Sequence, residues 1–360
     1  MLKTSGSKNF YSSLPSPNEI KKQITIQQET RFFIENSRSE ISAILNGQDS
    51  RLLLVVGPCS IHSIDEAKEY AKKIQSLQQK VKDHFFILMR VYFAKSRTAL
   101  GWKGFLFDPD LNHTCDVKKG ITQTRELLAF LAEHEVPVAT EFLDPLSVHY
   151  FEDLISWGCI GARTSESQTH RELASGLNMP VGFKNNTNGS IKIAVNGVCT
   201  SRESHTFLGI DDEGFIAKIT TKGNPNCHIV MRGGDSGTNY DPESIAKALE
   251  LLKKHSLVDK VMIDCSHGNS KSNHNNQIIV FESLINQIIE GNTNISGLIL
   301  ESYHHEGKQN LESYFTNSPL KYGISITDPC INWETTEKLI LWGYKKLQKN
   351  ALLHLSSCNQ

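Results

Sequence analysis

The sequence predicts a (β/α)8 barrel, the TIM-barrel fold class, on three observations. Short apolar runs rich in β-branched residues recur along the chain, each with the composition of a buried parallel strand. A stretch with helical spacing separates most of them. Nearly every run ends in a polar or charged residue, which is where α/β folds build their sites. The 360 residues accommodate one barrel of roughly 250 residues with extensions. A doubly wound sheet is the alternative, but it usually has fewer strands and one crevice.

Taken in order, residues 1 to about 16 are polar and rich in Ser and Pro, the composition of an unanchored terminus. Ser37-Arg38-Ser39-Glu40 fits a capping box and opens a short helix. Ile41, Ile44 and Leu45 share its inner face and Gly47 stops it. Residues 1–48 therefore read as an N-terminal extension and residues 49–350 as the barrel. The strands are expected at 52–56, 85–91, 137–142, 159–163, 181–184, 228–232, 261–264 and 298–301. A second capping box, Ser63 to Glu66, opens the helix after the first strand. Asp241-Pro242 starts the one after the sixth, with Asp as N-cap and Pro in the first turn. Residues 205–222 fit no barrel unit. They predict an inserted β-hairpin turning at Asp212-Glu213-Gly214.

Composition narrows the class. Hydrophobic content of 39% and charged content of 21% are ordinary for a soluble globular protein. A net charge of −1 supplies no global attraction to nucleic acid or an acidic membrane. Any anionic ligand must be held by a local cluster of Lys and Arg. The N-terminus has no apolar signal region, and no run approaches the roughly 20 apolar residues of a membrane span. Eight cysteines without a CxxC pair argue against a zinc finger or a secreted disulfide framework, and predict a reducing cytoplasm.

Two sets of residues carry chemistry. Strand ends and the loops after them supply Arg90, Lys95, Arg97, Arg163, Lys184 and Arg232. A lone Lys or Arg usually marks a solvated face. Arg90, Arg163, Lys184 and Arg232, however, each end an apolar run, so a barrel would gather them at one mouth. Crowded like charges are costly unless anions fill the cavity, and guanidinium forks suit phosphate and carboxylate. The second set is Cys59, His267, Glu301 and Asp328, which follow the first, seventh and eighth strands and the late segment YGISITDP. Each alone has a plain structural reading as a buried small residue, a turn residue, an ion-pair partner or a helix cap. Together a thiolate, an imidazole and two carboxylates make a divalent metal site of mixed softness. Mn, Fe, Co and Zn all fit, and the thiolate disfavours Mg. Cys330, two residues past Asp328, would approach Cys59, so that oxidation could join the two sulfurs.

The segments GPCSIH, RVYFAKSRTALGWKG, ATEFLDP, IGARTSESQTHRELASGLNMPVGFKN, HIVMRGG, IDCSHGNS and YGISITDPCINWE together closely resemble the 3-deoxy-D-arabino-heptulosonate 7-phosphate (DAHP) synthases. The resemblance is to the microbial class with an N-terminal extension and an inserted hairpin. It runs from about residue 15 to about residue 348. It implies a TIM barrel that condenses phosphoenolpyruvate with erythrose 4-phosphate at the head of the shikimate pathway. One divalent metal ion would be held by Cys59, His267, Glu301 and Asp328. Phosphoenolpyruvate would lie on Arg90, Lys95, Arg163, Lys184 and Arg232, with the Ala162 backbone nearby and Glu141 acting through water. Arg97 and Thr98 would meet the phosphate of erythrose 4-phosphate. Lys95 would protonate or stabilise the forming alkoxide, and either His267 or Glu141 would handle the proton of the attacking water. The resemblance further implies a homodimer or homotetramer inhibited by an aromatic amino acid, with tyrosine favoured by DPLSVHY and SGLNMP. Ser96 replaces the usual proline of KPRT, FKNNTNG replaces FKNGTDG, and GGDSGTNYD is longer than the usual turn. Two rival readings are a related condensing enzyme using arabinose 5-phosphate and a non-catalytic aromatic amino acid sensor.

Overall fold

The computed structural model describes residues 3–4, 10–311 and 319–357 of the chain. Eight parallel strands close into a barrel. They are β1 (Leu52–Gly57), β2 (Phe85–Arg90), β3 (Val138–Glu141), β4 (Trp157–Ile160), β5 (Val181–Lys184), β6 (Cys227–Met231), β7 (Val261–Asp264) and β8 (Ile295–Glu301). Each pairs with its neighbours in sequence, and β8 closes on β1 with Glu301 opposite Gly57. A side chain at Gly57 would meet the Arg90 carbonyl at 2.7 Å, so the first two strands approach this closely only because residue 57 has none.

The strands are buried on both faces, which is why they read as unbroken apolar runs rather than alternating ones. Leu53, Val55, Leu88, Ala139, Trp157, Cys159, Val230, Met262 and Ile299 fill the barrel. Leu52, Leu54 and Val56 face the surrounding helices. After β1 comes α3 (Ile64–Val81), with Ser63 capping the Glu66 amide at 3.3 Å. The Glu66 carboxylate accepts from Tyr303 Oη at 2.5 Å. The helices α4 (Val117–Glu133), α5 (Gln168–Gly176), α6 (Ile191–Ser201), α7 (Pro242–Lys254), α8 (Asn276–Ile289) and α9 (Trp333–Ser357) follow β2 and β4 to β8. Two short 3-10 turns, Ser147–Tyr150 and Glu152–Leu154, replace a helix after β3.

The extension holds more structure than its sequence predicts. Ser16 and Glu19 make a full capping box for α1 (Pro17–Gln23), with Pro in the first turn. The next helix, α2, runs Gln28–Leu45, so the expected cap at Ser37 lies in its interior. There Ser37 is buried and donates its hydroxyl to the Phe33 carbonyl one turn back. A Ser-x-x-Glu pattern cannot by itself tell a helix start from a helix middle. The C-terminal turns of α2 bring Ile41, Ile44 and Leu45 into the same apolar cluster as the barrel interior. Arg38 donates to the Ile155 and Glu152 carbonyls and fixes this helix beneath the barrel. The fourth strand begins at Trp157, two residues earlier than expected, which leaves residues 161–163 to a turn. The inserted hairpin pairs Thr206–Ile210 with Ile216–Thr220. Its turn meets α1, where the Asn18 amide donates to the Asp212 carbonyl at 2.8 Å and Lys21 pairs with the Asp212 carboxylate at 3.1 Å.

At the N-terminal end of the barrel Trp157 Nε1 donates to His228 Nε2 at 3.2 Å, and His228 Nδ1 lies 3.2 Å from the Asn226 carbonyl. Burial pushes the His228 imidazole down to about 4. The unfolded chain then binds more protons than the folded one between that value and the ordinary pKa of about 6.5. Stability from this group is complete above pH 6.5 and is lost as pH falls toward 4, by no more than about 3 kcal/mol. Urea unfolding at pH 7 and pH 5 should show a fall in the parent that is smaller in His228→Gln.

Candidate active site

The barrel turns the C-terminal ends of its strands to one rim, and the strand ends supply the site. β1 runs out at Gly57-Pro58, which leaves Cys59 buried at the start of the following loop. β8 ends on Glu301, buried beside it. Asp328 arrives on the segment before α9 and is exposed at the open edge. Ligand atoms of Cys59, Glu301 and Asp328 lie within 4.8 Å of one another. His267 stands just outside this trio, with Nε2 3.6 Å from Glu301 Oε1. Burial pushes the Cys59 thiol up and Glu301 adds to that, so the thiol keeps its proton until a cation displaces it. Asp328 is held below its usual range, because Lys95 and then His267 outweigh the desolvation that its carboxylate meets at the edge of the site. One soft donor and two hard carboxylates, with an imidazole adjacent, fit a first-row divalent ion.

The cations reach the same place. Arg90, at the end of β2, is fully buried and bonds Glu301 at 2.9 Å and the Pro58 carbonyl at 3.0 Å. Its guanidinium carbon sits 3.5 Å from the centre of the Tyr92 ring. Burial works against its charge, but Tyr92, Glu301 and the other acidic neighbours outweigh that. Arg90 Nη1 is buried and finds no partner among the described residues, so it is free for a ligand. Lys95 Nζ lies 3.1 Å from both the Cys59 carbonyl and the Cys59 sulfur. Lys184, at the end of β5, pairs with Asp264, at the end of β7, at 2.8 Å.

A model of the DAHP synthetase I family matches residues 23–340. The chain belongs to this family. It is 46% identical over 327 residues to the tyrosine-sensitive phospho-2-dehydro-3-deoxyheptonate aldolase of Escherichia coli, which spans 91% of each chain. It is 47% identical over 328 residues to the tryptophan-sensitive aldolase of Salmonella typhi, covering 91% of this chain and 93% of that one. The phospho-2-dehydro-3-deoxyheptonate aldolase structure from Francisella tularensis superposes with a TM-score of 0.91 at 42% identity, over 95% of this chain and 98% of that one.

Within the DAHP synthetase I fold the remaining sequence candidates take these places. Arg163 is exposed just past β4 and donates to Thr98 Oγ1 at 2.9 Å and to Ser96 Oγ at 3.4 Å. The serine that departs from KPRT thus accepts from a candidate anion-binding side chain. Arg97 is exposed beside Gly101. Ala162 lies in the turn closed by the Thr164 amide on the Gly161 carbonyl. Glu141 packs over Gly161, where a side chain would meet its carboxylate at 1.9 Å. Arg232 is only partly exposed and burial lowers its pKa. A cleft of about 960 Å³, lined by Arg97, Trp102, Lys103, Lys308 and Asp328, opens from the rim.

Sequence reasoning misses the polar frame behind these groups. Asp264 is wholly buried, accepts from Lys184 and Ser266, and lies 3.0 Å from His267 Nδ1. Its carboxyl is held well below the usual range, because Lys184 and His267 outweigh its burial. Three asparagines tie the ends of β5, β6 and β7. Asn185 accepts from the Arg232 amide, Asn239 accepts from the Gly233 amide, and Asn269 accepts from the Asn239 amide. The signal for them is an amide or carboxylate in each strand-end motif, KNN, GGDSGTN and DCSHGN.

Cys330 is buried and free, and its sulfur accepts from the Cys59 amide at 3.4 Å. Kept aerobic without metal, the parent should lose two hydrogens by mass spectrometry and lose activity together, while Cys330→Ser should do neither. Equal rates of loss would refute the pairing.

Proposed function

We propose that the protein condenses phosphoenolpyruvate with erythrose 4-phosphate and water to give DAHP and phosphate, and that the rim residues bind both substrates and a metal ion. The observation that carries this reading is the arrangement of two cations on two candidate metal ligands, Arg90 on Glu301 and Lys95 on Cys59. An ion-binding trio and an anion-binding cluster share one rim, as a reaction between two phosphorylated substrates requires.

Arg90, Lys95, Arg163, Lys184 and Arg232 hold phosphoenolpyruvate, with the Ala162 backbone and Glu141 nearby. Arg97 and Thr98 hold the second phosphate. This positioning brings two anions together against their repulsion and sets the enol carbon against the aldehyde. A divalent ion of the Mn, Fe, Co or Zn type, on Cys59, His267, Glu301 and Asp328, would supply Lewis-acid polarisation of the aldehyde oxygen. Burial and Arg90 work against the charge of Lys95, but Cys59, once it is a thiolate, and Glu301 outweigh them and raise its pKa. Its ammonium therefore lies ready at Nζ to protonate or stabilise the forming alkoxide. His267 or Glu141 takes the proton of the water that adds to the former enol carbon, and C–O cleavage then releases phosphate.

Residues 1–48 and the hairpin at 205–222 form the regulatory part of this reading. Two relatives are named tyrosine- and tryptophan-sensitive. In this chain α1 is bonded to the hairpin turn. Tyrosine is the favoured effector, the protein works as a homodimer or homotetramer, and its free thiols suit the cytoplasm. No helix among the described residues is long and apolar enough to cross a membrane. The use of arabinose 5-phosphate is disfavoured by the KSRT segment and the extension, and a non-catalytic role by the complete set of charged groups.

Phosphate release with both substrates should fall to background after chelation and return with Mn²⁺. Lys95→Met should lower kcat on the order of 10²- to 10⁴-fold with unchanged circular dichroism. Release that survives chelation would overturn the metal assignment. In the same assay saturating tyrosine should inhibit more than phenylalanine or tryptophan, and equal effects of the three would refute the effector choice.

A further inference from the structure

Asp264 stands between the two halves of the site. Its Oδ2 accepts from Lys184 Nζ at 2.8 Å and lies 3.0 Å from His267 Nδ1, which is hydrogen-bonded at 2.7 Å to the Ser266 hydroxyl. Its Oδ1 accepts from the Ser266 hydroxyl at 2.6 Å and the Ser266 amide at 3.0 Å. Its carbonyl accepts from Asn269 Nδ2 at 2.9 Å. The side chain is 0% exposed, so these contacts are not exchanged for water. His267 is itself held at φ 54°, a left-handed conformation that side chains rarely adopt unless the surroundings impose it.

We propose that Asp264 is a positioning residue that couples the phosphoenolpyruvate-binding Lys184 to the candidate metal ligand His267, so that metal and substrate bind cooperatively. This deepens the proposed function and rests on it. The contact at Nδ1 leaves Nε2 as the ring's lone-pair atom and turns it toward Glu301. When His267 holds a cation, its ring would be polarised, and Nδ1–H would pull harder on the Asp264 carboxylate, directly across 3.0 Å and through the Ser266 hydroxyl that donates to it. Negative charge withdrawn from Oδ2 in this way no longer neutralises Lys184. The ammonium is then better able to hold an anion. By linkage, an anion on Lys184 must tighten the metal by the same factor.

The test uses the full-length protein with Co²⁺ as the probe metal. Its affinity is measured by chelator competition and by thiolate-to-metal absorption, and phosphoenolpyruvate affinity by calorimetry, each with and without the other ligand. In the parent each ligand should tighten the other on the order of tenfold. Asp264→Asn places an amide donor where an acceptor is needed. It should weaken Co²⁺ roughly 10- to 100-fold without weakening phosphoenolpyruvate, since Lys184 loses the carboxylate that neutralises it, and should shrink the mutual factor several-fold.

A second pair of variants leaves Asp264 in place, in case Asp264→Asn does not fold. Lys184→Met frees Oδ2 for His267 and should tighten Co²⁺ at least threefold. Arg163→Met removes a cation of the same cluster whose bonds go to Thr98 and Ser96 instead, and should move Co²⁺ less than twofold. Equal shifts in these two variants, or a folded Asp264→Asn with the parental factor, would overturn the coupling. A parent that binds neither ligand would overturn the proposed function itself, and the coupling with it.

Discussion

The rim of this barrel is a problem in charge storage. Cations are gathered there that would repel one another, and two of them, Arg90 and Lys184, are sealed from water. Each is answered by one buried carboxylate, Glu301 for Arg90 and Asp264 for Lys184. Buried ion pairs seldom add net stability, since desolvation consumes most of the attraction, but breaking one leaves a stranded charge. The pairs therefore act chiefly as constraints. They fix where positive charge stands before any anion arrives, and they leave selected atoms, such as Arg90 Nη1, without a partner among the described residues.

The same carboxylates tie the cation cluster to the metal candidates. Glu301 belongs to the trio with Cys59 and Asp328 and also holds Arg90. Asp264 holds Lys184 and faces His267. Strands β2, β5, β7 and β8 are thus bound to one another at their C-terminal ends by side chains as well as by the sheet. The asparagines at 185, 239 and 269 extend this lacing through backbone groups. Such a frame lets irregular loops carry function without drifting.

Much of this is legible in the sequence because strand ends are strong signals. Apolar runs that stop at Arg90, Lys184 and Glu301 locate both the strands and the charged groups at their ends, and β5 and β7 fall where the pattern places them. Asp264 ends such a run too, yet its role stays hidden, because a carboxylate at a strand end does not reveal which cation it will meet across the barrel. The extension is less legible for a different reason. The inner face of α2 takes its meaning from the barrel floor, so only Ile41, Ile44 and Leu45 stand out, and Ser37 imitates a start. Residues 161–163 look like strand because Gly161 and Ala162 are small and Arg163 sits at the rim, whereas the turn there is made by backbone bonds that no periodicity announces.

The placement of α2 decides how much of the extension the barrel can lose. Ile41, Ile44 and Leu45 act as a stopper in the open base of the cylinder. The leader that reaches the hairpin through Asn18 and Lys21 is continuous with that stopper. Clipping the leader back to β1 would uncork an oily shaft, and a protein shortened in that way would be prone to clump. Changes upstream of the stopper, among the few bonds between α1 and the hairpin, leave the shaft sealed.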